Sequence, residues 1–78
     1  MDAQEIMDFI KSELKLRAIG PEDGITSTRG WDSMGQVQLM LALEKKIGMR
    51  IPPDYFGRLI SVKEILAFLQ EQGKLTSS

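Results

Sequence analysis

The stretch SMGQVQLMLALEKKI, residues 33–47, carries more apolar side chains than one buried helix face normally holds. Its end is marked twice: Gly48 suits a left-handed C′ position, and Pro52-Pro53 bars continuation. At 100° per residue, Leu39, Met40, Leu43 and Ile47 form one stripe. Met34, Val37 and Leu41 form a second, roughly 120–180° around the helix. A surface helix in a three-helix domain needs an apolar arc only somewhat wider than about 100°. Two readings follow. Either the helix sits centrally and buries both stripes, or one stripe faces solvent beside Gln38 and Lys45 and docks other proteins.

The flanking segments are also helical. Asp2 with Glu5 resembles a capping box, after which Ala3, Ile6, Met7, Ile10 and Leu14 share one face, predicting a helix over residues 3–16. Asp8, Lys11, Ser12 and Lys15 take the opposite face. Residues 17–31 read as a loop, with Gly20-Pro21, Gly24 and Gly30 as breakers and Ile19 and Ile25 as plugs for the core edge. A loop of that length is uncommon in so small a domain and is often functional. Residues 54–59, DYFGRL, allow one short helical turn. Ser61 and Glu64 form a second capping box, followed by Val62, Ile65, Leu66 and Leu69 on one narrow face. No useful period-2 alternation appears. The expected fold is all-α, a small four-helix bundle of three main helices and one short helix, with residues 1–73 as a single domain and 74–78 as a frayed tail.

Composition narrows the chemistry. Seventy-eight residues lie near the lower limit for a core without staples. With no cysteine, disulfides, thiol nucleophiles and zinc–thiolate sites are excluded. With no histidine, the commonest general base and metal ligand are missing too. Ten basic and eleven acidic residues give net −1, and no basic block suits nucleic acid. No apolar run approaches the roughly 20 residues of a membrane span, and MDAQEIMDFI lacks a signal-peptide pattern. The expectation is a cytoplasmic, monomeric, non-enzymatic protein that binds neither nucleic acid nor membrane and holds no metal.

Ser33 is the residue on which function turns. S-x-x-Q, Ser33 to Gln36, is an N-cap pattern in which the hydroxyl accepts from backbone N–H groups. A self-activated nucleophile is set aside, because a Ser hydroxyl needs an adjacent base. Lys11, Lys15, Lys45, Lys46 and Lys63 are conceivable bases, but none is tied to Ser33 by a recognisable spacing. If Ser33 reacts, another enzyme supplies the chemistry. The positive end of the helix dipole would then favour a phosphate diester there.

The segment GWDSMGQVQLMLALEKKIGMRIP resembles the central signature of acyl and peptidyl carrier proteins. The resemblance rests on Asp32-Ser33-Met34, Ala42-Leu43-Glu44, Gly48 and Ile51-Pro52, and continues without a gap to about residue 69. A bare D-S-[LM] carries little weight; with A-L-E-x-x-x-G and I-P at the right distance it is specific. The resemblance implies that Ser33 carries 4′-phosphopantetheine, transferred from coenzyme A by a Mg²⁺-dependent phosphopantetheinyl transferase. The terminal thiol would hold an acyl group as a thioester, with loading enzymes and downstream synthases or transferases as partners. Asp32 would be read by the transferase, and Met34, Val37, Gln38, Leu41 and Lys45 would form the docking face.

Two departures shape the expectation. Gly35, Gln36 and Gln38 stand near Ser33, and Lys45-Lys46 stand where fatty-acid carriers often have carboxylates, so steering to basic synthase surfaces is weaker. The loop before Ser33 carries Arg29 and lacks the customary acidic-Leu-Gly lead-in. Both point to a discrete carrier in a dedicated pathway, such as secondary-metabolite or cell-envelope synthesis. The alternatives are an aminoacyl or peptidyl carrier served by an adenylating enzyme, and a helical adaptor without a prosthetic group.

Overall fold

The computed structural model describes residues 1–76. Three α-helices, α1 (Ala3–Glu13), α2 (Ser33–Ile47) and α3 (Val62–Glu71), are joined by a long loop and by a short 3₁₀ helix (Pro53–Gly57). The described residues are all-α in their regular elements, with the three main helices and one short helix that the periodicity predicts.

Each α-helix starts on a side chain that accepts an exposed N–H group of its first turn. Asp2 accepts from Glu5 N–H at 2.8 Å, and Ser61 from Glu64 N–H at 3.2 Å. The Glu64 carboxylate in turn accepts from the Ser61 hydroxyl at 3.0 Å. α1 is shorter than the predicted 3–16. It closes through Leu16 N–H to Lys11 C=O and Lys15 N–H to Ser12 C=O, with Lys15 at φ 55°. That is a Schellman stop with Lys where Gly is usual. Gly48, at φ 68°, ends α2 by donating to Glu44 C=O, and the Glu44 carboxylate reaches on to Ile51 N–H at 2.7 Å.

The core joins one face of every helix. Ile6 and Ile10 of α1, Leu39, Met40, Leu43 and Ile47 of α2, and Val62, Ile65, Phe68 and Leu69 of α3 are buried together. Ile51 and Leu59 join them from the connections around the 3₁₀ helix, and Ile19 and Ile25 pack against the edge from the long loop. Phe68 extends the narrow α3 face read from the sequence and stacks at a tilt on Tyr55, centroids 5.0 Å apart.

The long loop is pinned where period arguments are silent. Ile25 N–H donates to Ile60 C=O at 2.8 Å and Val62 N–H to Asp23 C=O at 3.0 Å, forming an isolated antiparallel bridge between Gly24 and Ser61. Gly24 is required by this approach, because a Cβ there would lie 2.9 Å from the Ile60 oxygen. Through residue 76 the tail makes contacts with the rest of the chain. Lys74 N–H donates to Leu69 C=O, Leu75 packs on the core, and the Thr76 hydroxyl donates to Met1 C=O at 2.8 Å. The remainder of the expected frayed tail, residues 77–78, lies outside the described residues.

Candidate functional site

The first turn of α2 separates the two readings of Ser33. The N-cap is Asp32, in extended conformation, whose carboxylate accepts from Gly35 N–H at 2.7 Å. Ser33 is therefore the first helical residue and not the cap, and its side chain is exposed. The S-x-x-Q expectation is corrected on both members. Gln36 does not reach back to the helix start: it is buried, its Oε1 accepts from Trp31 Nε1–H at 2.8 Å, and its Nε2 donates to Phe56 and Leu59 C=O at 2.9 and 2.8 Å. A carboxylate outcompetes a hydroxyl for the N-terminal N–H groups because it brings a full charge to the positive end of the helix.

That arrangement anchors the loop end that presents Ser33. The buried Trp31 indole lies two residues before Ser33, and the Gln36 amide ties it to the backbone on both sides of Gly57. Gly35 lets α1 come close, since a Cβ there would meet Leu14 Cδ2 at 3.1 Å and Asp32 Oδ1 at 3.2 Å. Trp31 carries no period, cap or motif signal of its own, and Gln36 sits in a local cap pattern that it does not use. The wheel contained the signal for Gln36, which precedes Leu39, Met40, Leu43 and Ile47 at helical spacing on the buried stripe.

The second stripe faces solvent. Met34 is 74% exposed, Leu41 49% and Val37 46%, while Leu39, Met40 and Leu43 are 0% exposed. Gln38 and Lys45 are also exposed. Ser33, Asp32, Met34, Val37, Gln38, Leu41 and Lys45 thus lie on the accessible part of one helix and its cap, with Ser33 at one end and Lys45 beside Gly48, Met49 and Arg50 at the other. A shallow hollow of about 260 Å³ lies beside the first turn of α2, lined by Asp32, Met34, Gly35 and Gln38 on that side and by Glu13, Leu14 and Lys15 where α1 ends.

An exposed hydroxyl at a helix start, freed from capping and followed by an exposed apolar stripe, suits modification by a second protein that docks alongside. No helix among the described residues is long and apolar enough to cross a membrane.

No protein-family model matches the chain. Curated relatives do, along almost their whole length. The chain is 30% identical over 73 residues to the acyl carrier protein of Campylobacter hominis, covering 91% of this chain and 92% of that one. To the acyl carrier protein of Helicobacter pylori it is 29% identical over 70 residues, covering 87% and 90%. To that of Streptomyces coelicolor it is 26% identical over 77 residues, covering 90% and 84%. End-to-end similarity at this level, joined to the all-α fold, shows that the chain belongs to the acyl carrier protein family, whose members are carriers and not catalysts.

Proposed function

We propose that the protein is a discrete acyl carrier that holds its cargo as a thioester on 4′-phosphopantetheine attached to Ser33. The observation that carries this reading is the division of labour at the start of α2: Asp32 caps, so the Ser33 oxygen is exposed and uncommitted. In the attachment step the Ser33 oxygen bonds to the pantetheine-side phosphorus of coenzyme A. The pyrophosphate P–O bond breaks, the adenosine bisphosphate half leaves, and the hydroxyl proton passes to a base of the transferase. Once bound, the group supplies a thiol, which this cysteine-free chain lacks. The chain's own residues hold and orient: the α2 dipole favours the phosphodiester, Asp32 offers the transferase a charged contact, and Met34, Val37, Gln38, Leu41 and Lys45 form the docking face. The scarcity of carboxylates near Ser33 favours a dedicated pathway over bulk fatty-acid synthesis. Incubation with coenzyme A and a phosphopantetheinyl transferase of broad specificity tests the reading by intact-mass spectrometry. The expected result is one added pantetheinyl phosphate on the chain and none on Ser33→Ala; addition to Ser33→Ala would overturn the site.

A further inference from the structure

A second surface lies beside this docking face, on the loops and not on α2. The turn that ends α1 and the loop that leads into Ser33 meet to form a cleft of about 350 Å³. Lys15 and Arg17 line it from the first segment and Arg29 from the second, all three exposed. The ion pairs among the described residues are Lys46–Glu5 and Lys63–Glu22, which leaves these three cations outside any pair. Two nearby carboxylates are held in local hydrogen bonds, and a third, Glu13, lines the adjoining hollow. Asp23 accepts from Gly20 N–H at 2.6 Å and from the Thr28 hydroxyl at 2.7 Å, and Asp32 caps α2.

The cleft is held in shape. Gly30, at φ 97°, brings the two segments so close that a Cβ would sit 3.0 Å from Leu16 Cδ2. Lys15 occupies a left-handed position, φ 55°, where glycine is the relaxed choice. The fold would be relieved by Gly there, yet the residue present is one that adds a cation to the cleft wall.

The cleft also continues into the docking face. Lys15 and Gly30 line both this cleft and the hollow that runs past Asp32 and Met34, so the two hollows adjoin and lead from the cations to the first turn of α2. At the other end of α2, about 18 Å away by the helical rise, Lys45 and Arg50 flank a further hollow together with Glu44, whose carboxylate accepts from Ile51 N–H. The apolar stripe of Met34, Val37 and Leu41 therefore has unpaired cations beyond both ends.

From this we infer that the Lys15–Arg17–Arg29 cleft is a docking site for an acidic protein surface, engaged together with the apolar stripe. The inference rests on the reading of that stripe as the docking face. It reverses the sign of the electrostatics: carboxylates belong to the partner and cations to the carrier. An acidic protein fits better than a nucleic acid, because the stripe beside the cleft has an apolar complement on a protein and none on a phosphate backbone.

The test uses the full chain carrying Ser33→Ala, isotopically labelled, and titrates it with a decaglutamate peptide, a decalysine peptide and a short DNA duplex while amide shifts are followed. Decaglutamate should give saturable shifts at residues 15–18 and 28–30, and decalysine none there. Affinity should fall about tenfold or more between low and moderate salt, and by as much in the double variant Arg17→Glu/Arg29→Glu. Lys15→Gly should weaken binding roughly two- to threefold while raising Tm by about 2–5 °C, a combination that simple loss of folding does not produce. Absence of saturable shifts, equal shifts around Lys63 and Lys74, an unchanged affinity in the double variant, or tighter binding of the duplex would overturn the inference. The titration is blind to whether Ser33 is modified, and the mass assay is blind to the cleft, so the two readings fail separately.

Discussion

The two long stripes of α2 have similar apolar side chains and opposite fates. Leu39, Met40, Leu43 and Ile47 are sealed in the core shared with the other helices, whereas Met34, Val37 and Leu41 stand in water on the same helix. Hydropathy does not distinguish them; the available partners do. With α1 and α3 strongly amphipathic and the 3₁₀ helix closing the base, the fold supplies apolar surface for one side of α2 only. An apolar stripe left over after the core is filled has no part in that core, and this supports its proposed role as a surface for other proteins.

The largest test of that contrast is Leu43→Asp. The side chain is fully buried, and a carboxylate there has no partner. A domain of this size has a stability toward the low end of about 5–15 kcal/mol, and an unpaired buried charge consumes most of it. Loss of the helical circular-dichroism spectrum and of a cooperative urea transition is expected. A folded Leu43→Asp would show that the inner stripe is not the core.

Gln36→Leu comes next, because Gln36 is the polar exception on the inner face. The substitution removes three hydrogen bonds and leaves the Trp31 indole N–H and two backbone carbonyls without their partner. The expected cost is about 2–4 kcal/mol, read as a lowered urea midpoint, with a red-shifted Trp31 fluorescence as the loop end loosens. An unchanged midpoint would mean that Trp31 and the turn around Gly57 are held by packing alone.

The same pair marks the limit of what the sequence made legible. Helix existence, the α2 boundaries, Gly48 as stop and the division into two stripes follow from period and capping chemistry, and all are met in the structure. Local patterns failed where long-range partners decide. Gln36 looked like the far half of a cap because S-x-x-Q is a local signature; its true partners lie 5, 20 and 23 residues away. The Gly24–Ser61 bridge and the Thr76–Met1 bond are likewise non-local, and nothing in a 3.6-residue period announces them. The α1 stop is illegible in the sequence because Lys at a left-handed position is not the residue that signals one.

On the outer stripe, Val37→Asp should do little to the fold. Val37 is 46% exposed, so the new charge remains hydrated and stability shifts by roughly half a kcal/mol. Transfer of the pantetheinyl arm should slow, because apolar contact beside Ser33 acquires a charge that must be desolvated on docking. A Val37→Asp protein that unfolds would erase the distinction between the stripes. One that folds and is modified at the wild-type rate would keep the distinction and remove Val37 from the transferase contact.

The sharpest test turns on the smallest single effect, that of Ser33→Ala set against Asp32→Ala, at the point where the stripes begin. If Asp32 is the cap, Asp32→Ala removes the acceptor for Gly35 N–H and costs about 0.5–2 kcal/mol. Ser33→Ala removes a hydroxyl that faces solvent at the first helical position, so its cost should stay within about half a kcal/mol. Were Ser33 the cap, as its local pattern implied, the order would reverse. Paired urea melts of the two variants decide between these orders. Intact-mass spectrometry after transferase treatment then adds the functional axis. Ser33→Ala should be nearly as stable as wild type and gain no mass, whereas Asp32→Ala keeps the attachment oxygen and should gain it more slowly. A hydroxyl with almost no structural contribution, whose loss abolishes modification, is what separates a chemical handle from a helix cap.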